Sequence, residues 1–307
     1  SDGTREVVVE AASDCIAPGA GTPLSMLTQT DGGDGIYTNS FLKFESISDG
    51  GGGQERIDDE IDPVRVHNYV WGISLDNASS IDGKYGEFLT QNWSEFVLGD
   101  GPTVPRLRFS GTPGLTFEFW AKPNNGTQIF VTSEPSGYST ETMLLYKNGS
   151  NQLIAELVIK LVHEISLDFD ETITETRLRI EHQSVMSTEW QHVAFVFKQN
   201  SGNTDFYDVK LYVDGVANSA NPQVSTRTQE NGVDWSAHNW VDAGASGHID
   251  SNEYVINVVE DGWGEWTEGL GMDLFSFGGW GGQYSGFADN FRLSRGAVYS
   301  CAFDEVF

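Results

Sequence analysis

Five tryptophans, Trp235, Trp240, Trp263, Trp266 and Trp280, fall within 46 residues and are interleaved with Asp234, Asp242, Glu260, Asp261, Glu265 and Glu268. Flat indole faces stack on the C–H faces of a sugar ring, while neighbouring carboxylates accept hydrogen bonds from its hydroxyls. Trp235, Trp240, Trp263, Glu265 and Trp266 are therefore the candidate ligand-binding residues. The same tryptophans could instead fill a satellite core under a long loop, or an oligomer interface. Both readings stay open at this stage.

Covalent and hydrolytic chemistry finds less to work with. His-Glu-x-x-His, Gly-x-Ser-x-Gly and the phosphate-cradling loop do not occur in the chain. Asp168 and Asp170 share one strand face beside Glu171, which reads as a solvated acidic turn. No catalytic residue is assigned, and the expectation is a protein that is not an enzyme.

The elements that must position these side chains are short strands. Leu115, Phe117, Phe119 and Ala121 alternate with Thr116, Glu118 and Trp120, the period of a strand with one face toward a core. Gln128 to Thr132, Met143 to Tyr146, Leu153 to Val162 and His192 to Phe197 follow the same logic. Ala155 to Glu164 contains good helix formers, yet it is short and flanked by strands, so it is read as strand. Ile165–Phe169 and Arg177–Glu181 flank the acidic turn as a hairpin, and Asp214-Gly215 is the strongest short hairpin signal. Residues 1–35 read as an N-terminal arm, with a strand at Glu6–Glu10 and a loop from Pro18 to Gly35.

Composition narrows the partners. The chain has 307 residues, 35 of them Gly, and a net charge of −28. Such a surface repels phosphate backbones and anionic membranes, which argues against nucleic-acid partners. No apolar run reaches the roughly 18 residues that span a bilayer. The only cysteines, Cys15 and Cys301, rule out a thiolate metal cluster; they either pair or remain two free thiols. The start at Ser1-Asp2-Gly3 matches removal of an initiator Met, as for a protein made without export, and a trimmed precursor would look the same.

Four segments then carry a family resemblance. Leu115–Pro123 with the preceding Phe109-Ser110-Gly111, Glu189–Phe195, Lys210–Gly215, and Gly286–Leu293 with Phe277-Gly278-Gly279 follow one another in order. Together they resemble the laminin-G-like, concanavalin A-like jelly roll. The resemblance implies an all-β, antiparallel two-sheet sandwich over 36–307, with a long insertion at about 216–274. It also implies that Trp190 packs between the sheets and that a structural calcium ion sits near Asp289, joined by Glu45. An ion-paired surface Asp289 beside Arg292 is the simpler alternative. Glycosidases of this fold carry Glu-x-Asp-x-x-Glu on one strand, a spacing that does not occur here.

Phe41–Glu45, the Gly-rich turn at Asp49–Gly53 with the acidic loop at Asp58, Asp59, Glu60 and Asp62, Ile81–Gly86 and the Arg295–Phe303 tail further resemble bacteriophage virion proteins. The expected function is thus a non-catalytic virion or particle-surface component: a capsid decoration, tail or fibre protein with possible glycan adhesion. Its partners would be other particle subunits, as a homo-oligomer, and surface glycans; its location would be the virion surface or extracellular. The alternatives are a free lectin-like module and a glycoside hydrolase with unrecognised acids.

Overall fold

The computed structural model describes residues 37–49, 55–59, 68–76, 83–99, 107–108, 114–134, 143–165, 170–199, 207–243, 254–256, 266–267, 271–272, 274–278 and 283–295. The strands begin with β1 (Tyr37–Asp49), β2 (Glu55–Asp59), β3 (Asn68–Trp71), β4 (Ser74–Asp76), β5 (Tyr85–Phe88), β6 (Glu95–Gly99) and β7 (Leu107–Arg108). The central body holds β8 (Gly114–Pro123), β9 (Gln128–Glu134), β10 (Met143–Lys147), β11 (Gln152–Ile165), β12 (Glu171–Val185), β13 (Gln191–Gln199) and β14 (Tyr207–Val213). Next come β15 (Val216–Ala217), β16 (Gln223–Glu230), β17 (Val241–Asp242) and β18 (Tyr254–Ile256). The series closes with β19 (Trp266–Thr267), β20 (Gly271–Met272), β21 (Leu274–Phe277) and β22 (Gly286–Arg295). The one helical turn among the described residues is a 3-10 turn at Thr90–Asn92.

Two antiparallel layers result. In the first, β22 pairs with β8 along one edge and with β5 and then β1 along the other; β8 continues to β13 and β14. The second runs β3–β6–β21–β9–β10–β11–β12–β16. The far half of β1 pairs with β2, and β2 with β3, so the ladder passes continuously from one layer to the other. The all-β two-sheet sandwich expected from the sequence is the fold.

The core lies between the layers. Phe117, Phe119, Phe195 and Phe291 come from the first layer, and Val131, Leu145, Leu157, Leu178 and Phe277 from the second. Phe119 meets Phe277 edge-on, with ring centroids 4.8 Å apart at 78°. An aromatic pair of this geometry contributes about 0.5–1.5 kcal/mol beyond its buried area.

Two local expectations are met for physical reasons. Asp214 and Gly215 take φ of 49° and 75°, the left-handed pair that a two-residue hairpin needs, with Val213 opposite Val216. The helix-forming run Ala155–Glu164 lies inside β11, paired to β10 on one side and β12 on the other. Sheet pairing on both flanks outweighs a propensity of a few tenths of a kcal/mol per residue. A register shift between Val158 and Lys160 lets both Leu157 and Val158 reach the core. The hairpin of β11 and β12 is longer than expected: Arg177–Glu181 pair with Ile154–Val158, Ile165 pairs with Glu171, and Ser166–Phe169 lie outside the described residues.

One expectation is corrected. Trp190 does not pack between the sheets: it ends just before β13, half-buried, and meets Tyr85 edge-on at 5.7 Å. The described first half of the 216–274 segment is an integral part of the sandwich, because β16 pairs with β12 over eight residues and extends the second layer. The arm at 1–35, Cys15 and Cys301 lie outside the described residues.

Candidate functional site

On β12, Leu178 and Ile180 face the core. Strand alternation therefore turns Glu175, Arg177, Arg179 and Glu181 to the outer face of the second layer. Arg227 on β16 stands opposite Glu175 and joins them. After β16 the chain reverses at Asn231 and Gly232, both with positive φ, and runs back along the strand as a strap. Ser236 N–H donates to Thr228 O at 3.0 Å, Asn239 N–H to Ser225 Oγ at 2.9 Å, and Ala243 N–H to Pro222 O at 2.9 Å.

This strap carries two of the tryptophans singled out from the sequence. Trp235 lies 4.5 Å from the Arg227 guanidinium, measured to the ring centroid, and Trp240 lies 5.5 Å from that of Arg179. His238 stacks on Trp240 at 4.6 Å and 20°. Sequence proximity suggested carboxylates beside these indoles; the sheet brings guanidinium groups to them as well. Glu175 and Arg179 stand four residue steps apart along β12, roughly 13 Å at strand rise.

Beneath them is a paired layer of charge. Arg177 donates through Nε to Glu175 Oε1 at 2.6 Å and through Nη2 to Glu175 Oε2 at 3.0 Å; Arg227 Nε reaches Oε1 at 2.7 Å. Burial pushes the Glu175 carboxyl up. The hydrogen bonds and charges of Arg177, and then of Arg227, outweigh it and hold the group below its ordinary value. Tyr146 donates to Glu156 at 2.9 Å, and burial followed by the Glu156 charge drives its phenol well above the usual range. Arg179 approaches Glu181 at 3.4 Å, while its Nε finds no acceptor. Burial, then the charge of Arg227, lowers the His238 imidazole.

A second polar constellation occupies the outer face of the first layer. Glu118 on β8 accepts from Arg292 Nε at 2.6 Å, again from Arg292 Nη2, and lies 3.0 Å from His192 Nε2 through its other oxygen. All three side chains are essentially closed to solvent. Asp289 opposes Trp120 in register, and Asn290, with φ of 49°, is an inserted residue that lets Asp289 and Arg292 share one face. Arg292 thus finds its carboxylate on Glu118, and Asp289 is buried rather than at the surface. Two acids on adjacent strands face the same way here, but both Glu118 oxygens are engaged and both residues are fully covered.

Glu45 and Asp289, the residues expected to hold calcium, each have a local partner. Lys84 seats its ammonium on the Glu45 carbonyl at 2.9 Å and gives its N–H to Glu45 Oε1 at 3.4 Å. Asp289 Oδ1 accepts the Asn290 N–H at 2.8 Å. Among the described residues, no three His, Cys, Asp or Glu side chains converge on one point. Trp263, Glu265 and Trp280 lie outside the described residues; Trp266 contributes its backbone to β19, and its side chain is outside them too. Asp170 is exposed beside Asn231, as an acidic turn should be, whereas Asp168 is outside the described residues. Glu118 and Arg179 carry one sequence signal, charge between apolar strand neighbours, whereas Arg227, between Thr226 and Thr228, carries none.

The fold is that of a lectin-type β-sandwich, with its polar constellations on outer sheet faces. A family model described as the concanavalin A-like lectin/glucanases superfamily matches residues 99–253, just over half of the chain. The chain belongs to that superfamily. Among solved structures, the binding domain of Paraclostridial Mosquitocidal Protein 1 is 11% identical with a TM-score of 0.43, covering 86% of this chain and 49% of that one. Trypanosoma rangeli sialidase is 14% identical with a TM-score of 0.41, covering 87% of this chain and 31% of that one. Ruminococcus gnavus IT-sialidase CBM40 bound to alpha2,3 sialyllactose is 14% identical with a TM-score of 0.30, covering 64% and 85%. The chain spans about half or less of the length of the first two. No curated protein matches it in sequence.

Proposed function

We propose that the chain is a non-catalytic, glycan-binding jelly-roll domain that adheres through the strap along β16. What supports this reading most directly is Trp235, a half-buried indole standing on Arg227 between the exposed Asp234 and Ser236. A cation beneath one face holds the ring flat and leaves the rest of the indole for the C–H face of a sugar. Asp234 and Ser236 supply hydroxyl partners on either side. Trp240, engaged by both Arg179 and His238, anchors the strap instead.

Glycan-array binding by the purified chain tests the reading. Trp235→Ala is expected to weaken the bound glycan about tenfold or more with an unchanged melting temperature, as for an aromatic hot spot. Trp240→Ala is expected to lower the melting temperature as well. A wild-type chain that binds no glycan, or Trp235→Ala binding as well as wild type, would overturn the assignment.

Within this reading the domain is a component of a virion or particle surface. That location is supported by the sequence resemblance at Phe41–Glu45 and along the Arg295–Phe303 tail. Mass spectrometry of purified particles from the source tests it, and absence of the chain from them would remove it.

A further inference from the structure

Outside the strap, one side chain departs from everything the fold requires. Trp93 is 68% exposed, the largest exposure among the exposed large apolar side chains described. Its backbone sits at φ 56° and ψ 41°, the left-handed region. That conformation is an outlier for a bulky residue, and a turn that needs it ordinarily takes Gly or Asn. The sequence therefore accepts both backbone strain and an indole left in water at one position.

The turn that carries it is firmly built. Asn92 N–H donates to Leu89 O at 2.9 Å and Trp93 N–H to Thr90 O at 3.2 Å. Ser94, wholly buried, accepts the Leu89 N–H at 2.9 Å and donates to Gly72 O at 2.5 Å. Gly72, at φ 60°, packs so closely that a Cβ there would stand 2.3 Å from Asn92 O. Trp93 is thus presented from two tight turns braced against each other, and binding it costs little ordering. Around it Thr90, Gln91 and Asn92 are all exposed. These neutral donors and acceptors suit sugar hydroxyls, and residues 89–94 include no charged side chain.

We infer that Trp93, with Gln91 and Asn92, is a second glycan contact, specific for neutral sugars. Net charge decides the class: a chain at −28 repels an acidic glycan, and this turn holds no cation to offset that. The contact is separate from the strap. It adjoins β6, and six ladder steps lead from β6 through β21, β9, β10, β11 and β12 to β16. At sheet spacing these amount to roughly 29 Å along the layer. A polymer long enough to span both would be held bivalently.

Titration calorimetry of the whole chain with cellohexaose, maltohexaose and mannohexaose, all neutral, tests the inference beside hexagalacturonic acid. At least one neutral hexaose is expected to bind, and Trp93→Gly is expected to weaken it by about tenfold or more. The same variant is expected to raise the melting temperature, because glycine relieves the left-handed strain. That combination separates a ligand contact from a structural residue, whose loss would lower both. Trp235→Ala, measured in parallel, reports the strap alone, so either contact can fail without the other. No binding of any neutral hexaose, equal binding by Trp93→Gly, or Trp93-dependent binding of the acidic oligomer alone overturns the inference. So does a Trp93-dependent dimer in light scattering with no effect on sugar binding, which would mark a protein contact instead.

Discussion

Glu118→Ala is expected to destabilise the chain by about 3–5 kcal/mol, the range for removing one partner of a buried ion pair. Glu118 and Arg292 are each 1% exposed and His192 3%, and the carboxylate is the acceptor for both neighbours. Without it, a guanidinium that cannot lose its proton stays buried with a carboxylate missing from its side. The pair joins β8 to β22 across 174 residues of chain, so its loss loosens the centre of the first layer. Urea unfolding measures the cost. The double variant Glu118→Met with Arg292→Met is expected to recover most of it, since apolar side chains of similar size remove the desolvation penalty along with the attraction. A Glu118→Ala cost below about 1 kcal/mol, the range of a surface pair, would show that the cluster is not held in a dry environment.

The second large effect depends on pH. Glu175 is fully buried between Arg177 and Arg227, and its carboxyl is held below the ordinary glutamate value despite the opposing effect of burial. A carboxyl whose folded-state value lies below its unfolded one stabilises the fold fully above the unfolded value, about 4.3. That contribution disappears as pH falls through the depressed folded value. Glu175→Gln is expected to cost about 1.5–3 kcal/mol at pH 7, the range for hydrogen bonds to a charged group. The gap between wild type and variant should then close as the solution is acidified below about pH 4. Urea midpoints at pH 7 and pH 3 provide the comparison, and a gap that stays constant would contradict the assignment. The variant should also weaken glycan binding at Trp235, because Arg227 loses the carboxylate that orients it beneath the indole.

The Glu118 cluster of the first layer and the strap illustrate why the candidate site was only half legible. Trp235 and Trp240 could be chosen from the sequence because five of the nine tryptophans cluster within 46 residues of a polar, Gly-bearing stretch. Their partners could not be chosen. Arg179 and Arg227 look like ordinary strand charges until β16 is registered against β12, and nothing local specifies that register. Trp93 escaped notice for the opposite reason: its neighbours Thr90, Gln91 and Asn92 form an unremarkable polar loop, and only the backbone conformation sets it apart. Trp190 was misjudged because the motif around it identifies a strand, while its own depth depends on where Tyr85 lies.

Alternation in Leu115–Ala121 and the Asp214-Gly215 turn were sufficient, with the order of four short segments, to determine an antiparallel sandwich and its family. Periodicity and turn stereochemistry are local, so a single chain displays them directly. Which charges are buried together, which indole stands on a cation and which is left in water were decided only by tertiary structure. Those outcomes depend on pairing between strands distant in sequence, where a shift of one residue turns every side chain to the opposite face.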